Sequence, residues 1–549
     1  MKTICLAFQA CDACPLDKHV LPDPARAVKK THPAIIDRRG YVFRKKCASN
    51  ELKQLIKDEL IVKPEINNQY KESEYFKVYT EDEQNYYLPK YWAVDNIDIE
   101  PIIKYKCKEK NLVNFKFKSN LRAPQDEIIE SMLNIFYDKE KCMLKPFASS
   151  IISIRTGGGK TVLGLFMMSF LKRKTIIFCH TSSLYKQWVE RIEEYIDGSK
   201  IGCIQGDKIK IKGNNIVIAM IQTVMTAKLN FSELLKDFDF VIYDECHHMG
   251  AKVFSSIMRQ IQPPYSLGLS ATVERDDKLD CVFKWSLGEV GYMMTGSLDY
   301  DILIRAYKFE INDCPKFKPL VNRFTKKVNI SKMMVNLTEI EQRNNLIVEI
   351  IKEVFAQGPS RHLVLISNFV NHLVILKELL DPLFPDKVGL YIGASLKKLK
   401  PIEKEELESK QILLATTKIM EEGVDIKALD TIILATPKKK VVQSCGRILR
   451  KLKHEYENIP LMIDIVDQIG MFNGMARKRM MQYKEKYLIS SGSSLEYYKC
   501  NNDTNFKIDF EYIANLDNLR QKDKDNNLKE KKEKKESIDY SNIFNSDSE

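Results

Sequence analysis

Ser153-Ile154-Arg155-Thr156-Gly157-Gly158-Gly159-Lys160-Thr161 is the stretch on which the reading of this chain turns. An apolar run over residues 151–154 leads into three glycines and a Lys-Thr pair, and an apolar, helix-forming segment follows over 162–171. Glycine lets the backbone reach positive φ and bring N–H groups against an anion. Gly157, Gly158 and Gly159 therefore read as a phosphate cradle, with Lys160 reaching the β/γ-phosphates of ATP and the Thr161 hydroxyl holding Mg²⁺. The helix that follows would aim the positive end of its dipole at the same anion. The strict phosphate-loop pattern has a glycine where this chain has Ile154. On this stretch alone, a glycine-rich strand-to-helix turn stands as the alternative.

The partners of such a loop lie downstream. A strand over 240–243 runs into Asp244-Glu245-Cys246-His247-His248. Two carboxylates at a strand end suit nucleotide hydrolysis, with Asp244 on Mg²⁺ and Glu245 orienting and deprotonating water. His247 reads as a polar relay. A zinc site at Cys246-His247-His248 is disfavoured, because neighbours on extended backbone point in different directions. Ser270-Ala271-Thr272 closes another apolar run and reads either as an ordinary turn or as a hydrogen-bonding partner of His247. Farther on, Gln443-Ser444-Cys445-Gly446-Arg447-Ile448-Leu449-Arg450 puts Arg447 and Arg450 on one face of a helix start. They read as arginine fingers for a transferring phosphoryl group, or as a solvated basic face.

Continuously apolar runs at 151–154, 175–179, 216–220, 240–243 and 266–269 read as strands buried on both faces. They alternate with helical segments from Leu121 onward, and the alternation restarts with a helix over 339–355. Strands at 362–367, 388–392, 411–416, 431–435 and 461–465 follow. The expected fold is α/β, with two parallel-sheet domains in tandem. The expected boundaries are an N-terminal accessory domain over 1–115, a first α/β domain over 116–295 and a connector over 296–335. A second α/β domain would span 336–488, and a largely disordered extension 489–549. Lys522–Lys535 is a mixed-charge run that cannot bury a core.

These motifs, in this order, resemble a superfamily 2 helicase with an Asp-Glu-x-His box. The resemblance covers residues 116–488 and implies two RecA-like domains with ATP bound between them. Thr156 to Thr161 matches the family's form of the loop, in which Ile154 is an accepted variation. Asp244 to His247 is the box, and Ser270-Ala271-Thr272 the third motif. Gly423-Val424-Asp425 lies in the fifth motif, and Gln443, Gly446, Arg447 and Arg450 form the sixth. The resemblance implies a catalytic set of Lys160, Asp244, Glu245, His247, Gln443, Arg447 and Arg450. It adds Thr156, Gly423 and Asp425 to the ATP contacts.

Leu121-Arg122-Ala123-Pro124-Gln125 is similar to the leading motif of the XPB-like branch, which implies that Arg122 and Gln125 contact adenine or phosphate. Thr181 through Gln187-Trp188 looks like motif Ia. Arg275-Asp276-Asp277 resembles that branch's Arg-Glu-Asp element with Asp for Glu, so Ser270, Thr272 and Arg275 are assigned to coupling. Within the branch, Arg343-Asn344-Asn345-Leu346 through Ile392-Gly393 resembles poxvirus transcript-release helicases and relatives in large cytoplasmic DNA viruses. Thr181, Thr223, Ser367, Gly393 and Thr416 would hold a nucleic-acid strand by its phosphates. DNA is preferred to RNA as the partner, and RNA polymerase or other transcription machinery is implied. An RNA helicase and a nucleic-acid-binding scaffold with a dead ATPase remain as alternatives.

The bulk properties agree with this reading. The formal charge is +12 over 549 residues, which suits a polyanionic partner. Thirteen irregularly spaced cysteines read as reduced thiols, and no run of ~18 apolar residues predicts a membrane span. A cytoplasmic, non-secreted protein is expected, in the host cytoplasm or virion if viral. Cys11 and Cys14 have the spacing of half a zinc site, with His19, His32 and Cys47 as completions, or are simple thiols.

Overall fold

The computed structural model describes residues 32–65, 74–105, 112–154, 157–227, 230–250, 252–275, 277–294, 301–321, 328–396, 399–421, 426–449, 453–488, 492–502 and 508–515. The chain divides into two compact units, Met1–Met294 and Thr295–Glu549.

The first unit opens with a small mixed sheet of β1 (Ala34–Asp37), β2 (Gly40–Arg44), β3 (Thr80–Glu81), β4 (Asn85–Leu88) and β5 (Ile102–Ile103), in the order β3-β4-β2-β1-β5. Helix α1 (Asn50–Leu60) starts where the Ser49 hydroxyl accepts the Leu52 N–H at 3.1 Å. Helix α2 (Lys90–Asn96) packs Trp92 with Ile36, Phe43, Ile56 and Leu88 in a core of its own. Arg38 anchors this small sheet to the larger sheet of the same unit, donating to the Phe238 carbonyl at 2.8 Å and pairing with buried Asp239.

Helix α3 (Ala123–Phe136) leads into that larger, doubly wound sheet. Its strands are β6 (Ala148–Ser153), β7 (Thr175–Cys179), β8 (Ile201–Gln205), β9 (Lys208–Lys210), β10 (Ile216–Met220), β11 (Phe240–Asp244), β12 (Tyr265–Ser270) and β13 (Val290–Met293). The order is β9-β8-β10-β7-β11-β12-β6-β13, parallel except for the β8–β9 hairpin at one edge. Alternate residues serve opposite faces. Ile152, Ile177, Ile242 and Leu267 enter the core that holds α4 (Lys160–Leu171) and Trp188 of α5 (Ser182–Tyr195). Their neighbours Ile151, Ile176, Phe178 and Val241 enter the core on the other side. Both faces are covered, and full burial of each such side chain is worth roughly 1.5–3 kcal/mol. That is why these strands read as unbroken apolar runs.

The second unit repeats the plan with β14 (Leu303–Phe309), α6 (Glu341–Gln357), β15 (Leu363–Ser367), α7 (Val370–Leu380), β16 (Val388–Tyr391), β17 (Ile412–Thr416), β18 (Thr431–Leu434), β19 (Leu461–Asp467), α8 (Met471–Lys486), β20 (Ser494–Asn502) and β21 (Ile508–Asn515). The order is β16-β17-β15-β18-β19-β14-β20-β21, parallel except for β21. The fold is therefore α/β with two tandem RecA-like parallel sheets.

The second sheet reaches beyond the 336–488 span expected for its domain. Residues 303–309, assigned to the connector, form β14 in the middle of the second sheet, with Leu303 paired to both Leu461 and Ser494. Arg305 made this segment look unlike a buried strand. The residue is only 9% exposed because Glu496, 191 residues later, accepts its Nε–H at 2.9 Å. The extension expected to be largely disordered also contributes to the sheet. Residues 494–502 and 508–515 form a strand pair on the same sheet, and the Tyr498 ring stacks on Tyr307 at 4.9 Å. The Lys522–Lys535 run, Cys11, Cys14 and His19 lie outside the described residues. Among the described residues no helix is long and apolar enough to cross a membrane.

Lys90 is the outstanding polar group at the join between the small and large sheets. It is 1% exposed, and its ammonium donates to the Pro263 carbonyl at 2.9 Å and lies 5.7 Å from the Tyr105 ring centre. Burial pushes its pKa down to about 7. The unfolded chain thus holds a proton that the native state releases between about 7 and the ordinary lysine value, so stability rises with pH across that window. In urea unfolding of the whole chain, Lys90→Met should flatten this rise and leave stability at pH 7 equal to or above that of the parent. An identical pH dependence in the two proteins would show that Lys90 stays charged.

Candidate nucleotide site

In a parallel sheet every strand delivers its carboxyl end to the same edge, where ligands of open α/β folds bind. Strands β6, β12 and β11 are neighbours, with Ser153 paired to Ser270 and Asp244 to Leu269. The glycine turn, the Ser-Ala-Thr segment and the Asp-Glu pair therefore leave the sheet side by side.

Gly157 and Gly159 have φ of +85° and +86°, a region that glycine occupies at little cost. Helix α4 begins directly after Gly159, with Lys160 as its first residue and Thr161 as its second, so its unpaired amides face the turn. Gln125 of α3 packs against the turn from outside. Its Oε1 accepts the Arg122 N–H at 3.0 Å and its Nε2 lies 3.5 Å from the Gly158 carbonyl. A Cβ on Gly159 would fall 2.2 Å from that Nε2.

Lys160 Nζ lies 3.2 Å from Glu245 Oε1, joining the turn to the carboxylate pair. Glu245 sits at φ +48°, a sparsely populated conformation for a non-glycine residue. Its Oε2 is buried and has no hydrogen bond. Burial pushes the Glu245 carboxyl upward, but the Lys160 ammonium together with His247 and His248 holds the group below the ordinary glutamate range. Asp244 moves the other way, raised by burial and by the Glu245 charge. One Asp244 oxygen accepts the Trp188 indole N–H at 2.8 Å, and the other faces the Glu245 N–H at 3.1 Å. Trp188 thus orients the carboxylate, a role that the sequence did not disclose.

His247 Nδ1 lies 2.8 Å from Ser270 Oγ and 3.4 Å from Glu245 Oε2. Ser270 donates its own proton to the Thr272 carbonyl, so it accepts from His247 and fixes the tautomer with hydrogen on Nδ1. Burial lowers the His247 pKa to about 4, leaving a neutral imidazole at pH 7. Arg275 donates to the His247 carbonyl and is gripped by both oxygens of Asp277, with Nε–Oδ1 at 2.8 Å. Ser270 and Arg275 thus bond to His247, Thr272 bonds to Ser270, and Asp277 holds Arg275.

Thr181 and Thr223 follow the neighbouring strands β7 and β10, at the same edge but on the far side of β11 from the glycine turn. The Thr181 hydroxyl caps α5 by accepting the Leu184 N–H at 3.2 Å, and Thr223 Oγ1 accepts the Gly206 N–H at 2.9 Å. In the second unit Thr416 ends β17 and Gly393 follows β16, on adjacent strands. Ser367 is a correction. It is fully buried, with its hydroxyl 3.0 Å from His372 Nδ1 and accepting the Phe369 N–H at 3.2 Å, so it offers no group to a strand. Arg447 is 7% exposed beyond the short helix Val442–Cys445. Thr156, Gly423, Asp425, Arg450 and the side chain of Gln443 lie outside the described residues.

A buried clamp shapes this second edge. Arg343 is bound through Nε and Nη2 to both oxygens of Asp467, at 2.7 and 3.0 Å, and through Nη1 to the Ala435 carbonyl at 2.8 Å. The adjacent Asn344 donates through Nδ2 to the Thr338 carbonyl at 3.0 Å, which leaves its Oδ1 to accept from His372 Nε2 at 3.0 Å. One turn of α6 thereby ties together the ends of β15, β18 and β19.

Phosphate-loop nucleotide hydrolases of the doubly wound kind are built this way. The family model described as "Type III restriction enzyme, res subunit" matches residues 118–275. A protein of Acanthamoeba polyphaga mimivirus with the provisional name ATP-dependent RNA helicase L396 is 30% identical over 477 residues, covering 84% of this chain and 88% of its own. The DNA 3'-5' translocase XPB2 of Sulfurisphaera tokodaii is 26% identical over 397 residues, 66% of this chain and 85% of its own. The crystal structure of T4 UvsW aligns over 85% of this chain and 99% of its own, with a TM-score of 0.32 and 18% identity. The chain belongs to the superfamily 2 helicases, enzymes that hydrolyse ATP.

The glycine turn and the clamp each give a test. Gly159→Ala combines left-handed backbone strain of about 1–2 kcal/mol with the collision against Gln125, and should raise the KM for ATP at least about tenfold. An unchanged KM would remove the argument for a tight cradle. Arg343→Met leaves Asp467 buried without its partner and should cost about 3–5 kcal/mol in urea unfolding, with part regained in the Arg343→Met/Asp467→Leu double variant.

Proposed function

We propose that this helicase is a DNA-stimulated ATPase that moves along nucleic acid, acting in viral transcription, at elongation or transcript release, or in DNA repair. The observation that carries the catalytic part is the 3.2 Å contact of Lys160 with Glu245, which puts the phosphate-seeking lysine and the carboxylate pair in one place. The donor set suits ATP-Mg²⁺: a glycine turn with positive φ, a lysine, a threonine hydroxyl, and a buried Glu245 oxygen without a hydrogen bond. Thr161 and Asp244 would hold Mg²⁺, which when bound neutralises phosphate charge. Lys160 exchanges its Glu245 partner for phosphate, and the freed Glu245 takes a proton from water. Arg447 and Arg450 are assigned to the charge on the transferring phosphoryl group. Gly157, Gly158, Gly159, Arg122 and Gln125 bind and orient the nucleotide.

DNA is favoured by the XPB-like Arg122–Gln125 and Arg275–Asp277 elements and by the translocase name of the Sulfurisphaera relative. RNA is the second reading, favoured by the name of the mimivirus relative. Phosphate contacts at Thr181, Thr223, Gly393 and Thr416 would make binding indifferent to sequence and sensitive to salt. Transcription machinery in a host cytoplasm would be the setting.

Hydrolysis measured side by side with single-stranded DNA, duplex DNA and RNA should be highest with DNA. Stimulation by RNA alone would replace the first reading with the second. Lys160→Ala should abolish turnover, and Glu245→Gln should retain ATP binding while slowing hydrolysis at least about 100-fold. Full turnover in Lys160→Ala would sink the assignment of the site.

A further inference from the structure

The nucleotide residues and the proposed strand-binding residues of the first unit leave the sheet from different strands, β6, β12 and β11 for the former and β7 and β10 for the latter. They meet where β11 neighbours β7. At that junction three imidazoles pack in series. The His247 and His248 ring centres are 4.2 Å apart with their planes at 39°, and those of His248 and His180 are 4.4 Å apart at 53°. His180 immediately precedes Thr181, and its carbonyl accepts the Gln222 Nε2–H at 2.8 Å, next to Thr223. The series thus begins at His247, bonded to Ser270, and ends at His180, which precedes Thr181 and is bonded to the side chain of the residue before Thr223. Burial lowers His247 to about 4 and His248 to about 3, so these two rings pack as neutral bodies at pH 7.

We infer that His248 and His180 are positioning residues that couple nucleic-acid binding at the ends of β7 and β10 to His247 in the ATP site. The inference rests on the proposed nucleic-acid-stimulated activity. A shift of His247 as its Glu245 and Ser270 partners rearrange moves the His248 ring, which is in contact with it. The His180 ring must follow, because close-packed side chains transmit displacement. The His248 N–H donates to the Glu245 carbonyl at 3.0 Å, a backbone bond that replacement of the side chain keeps, so basal hydrolysis should survive loss of either ring.

The test compares basal and nucleic-acid-stimulated ATPase rates of the full chain, using single-stranded DNA and RNA oligonucleotides in parallel. His248→Ala should hold the basal rate within about twofold and cut the stimulated-to-basal ratio at least about tenfold. This is a coupling of about 1.4 kcal/mol. His248→Phe, which keeps a ring, should restore most of the ratio. His180→Ala should act in the same direction, and the double variant should be no worse than the worse single one, since both break one series. A wild-type ratio in His248→Ala, an equal fall of basal and stimulated rates, or additive losses in the double variant would each overturn the inference. A parent protein that neither DNA nor RNA stimulates would overturn the proposed function itself before any variant is made.

Discussion

Parallel pairing of β6, β12 and β11 is the constraint on which the nucleotide site depends. Parallel strands place their carboxyl ends at one edge, so three segments separated by as many as 117 residues in the chain, Ser153 to Ser270, come to the same line. The Lys160–Glu245 ion pair and the His247–Ser270 hydrogen bond exist only because of that register. Slip one strand by a residue and its side chains exchange faces. The apolar cores on both sides of the sheet oppose such a slip, because each side chain would pass from the core it fits to one packed around different neighbours.

Polar groups are buried at both edges, and several are held by more than one contact. Asp244 is fixed by Trp188 and by the following amide, Arg275 by Asp277, and Arg343 by Asp467 and a carbonyl. Arg479 and Tyr483 likewise converge on Asp464 in the second unit. Buried ion pairs contribute little net stability once desolvation is counted. Their visible result here is orientation, since a bidentate guanidinium or an indole donor leaves a carboxylate few alternatives.

Much of this was legible in the residues. Strands buried on both faces announced themselves as unbroken apolar runs, and those expectations lie within a few residues of β6, β7, β10, β11 and β12. The glycine turn, the Asp-Glu pair and the Ser-Ala-Thr segment stood out by their residue types, and the structure brings them to one edge of the sheet. Strand β14 was not, because Arg305 breaks its apolar pattern and its compensating Glu496 is remote in sequence. The short β8 alternates buried and half-buried residues beside the hairpin strand β9, and so lacked the signal of a central strand. Ser367 looked like a phosphate contact, since a small hydroxyl at a strand end has the same signature whether it faces solvent or a buried histidine.

Sequence by itself determined the tandem α/β plan and marked the glycine turn, the Lys-Thr pair and the acidic residues as candidates for one site, because these follow from local composition and from spacing along the chain. The tertiary structure alone decided which groups touch. It paired Lys160 with Glu245, gave Asp244 to Trp188, turned Arg343 and Asn344 into a clamp and stacked His247, His248 and His180. The physical reason is that burial and hydrogen bonding depend on the neighbour across the sheet, and that neighbour is set by strand order rather than by distance along the chain.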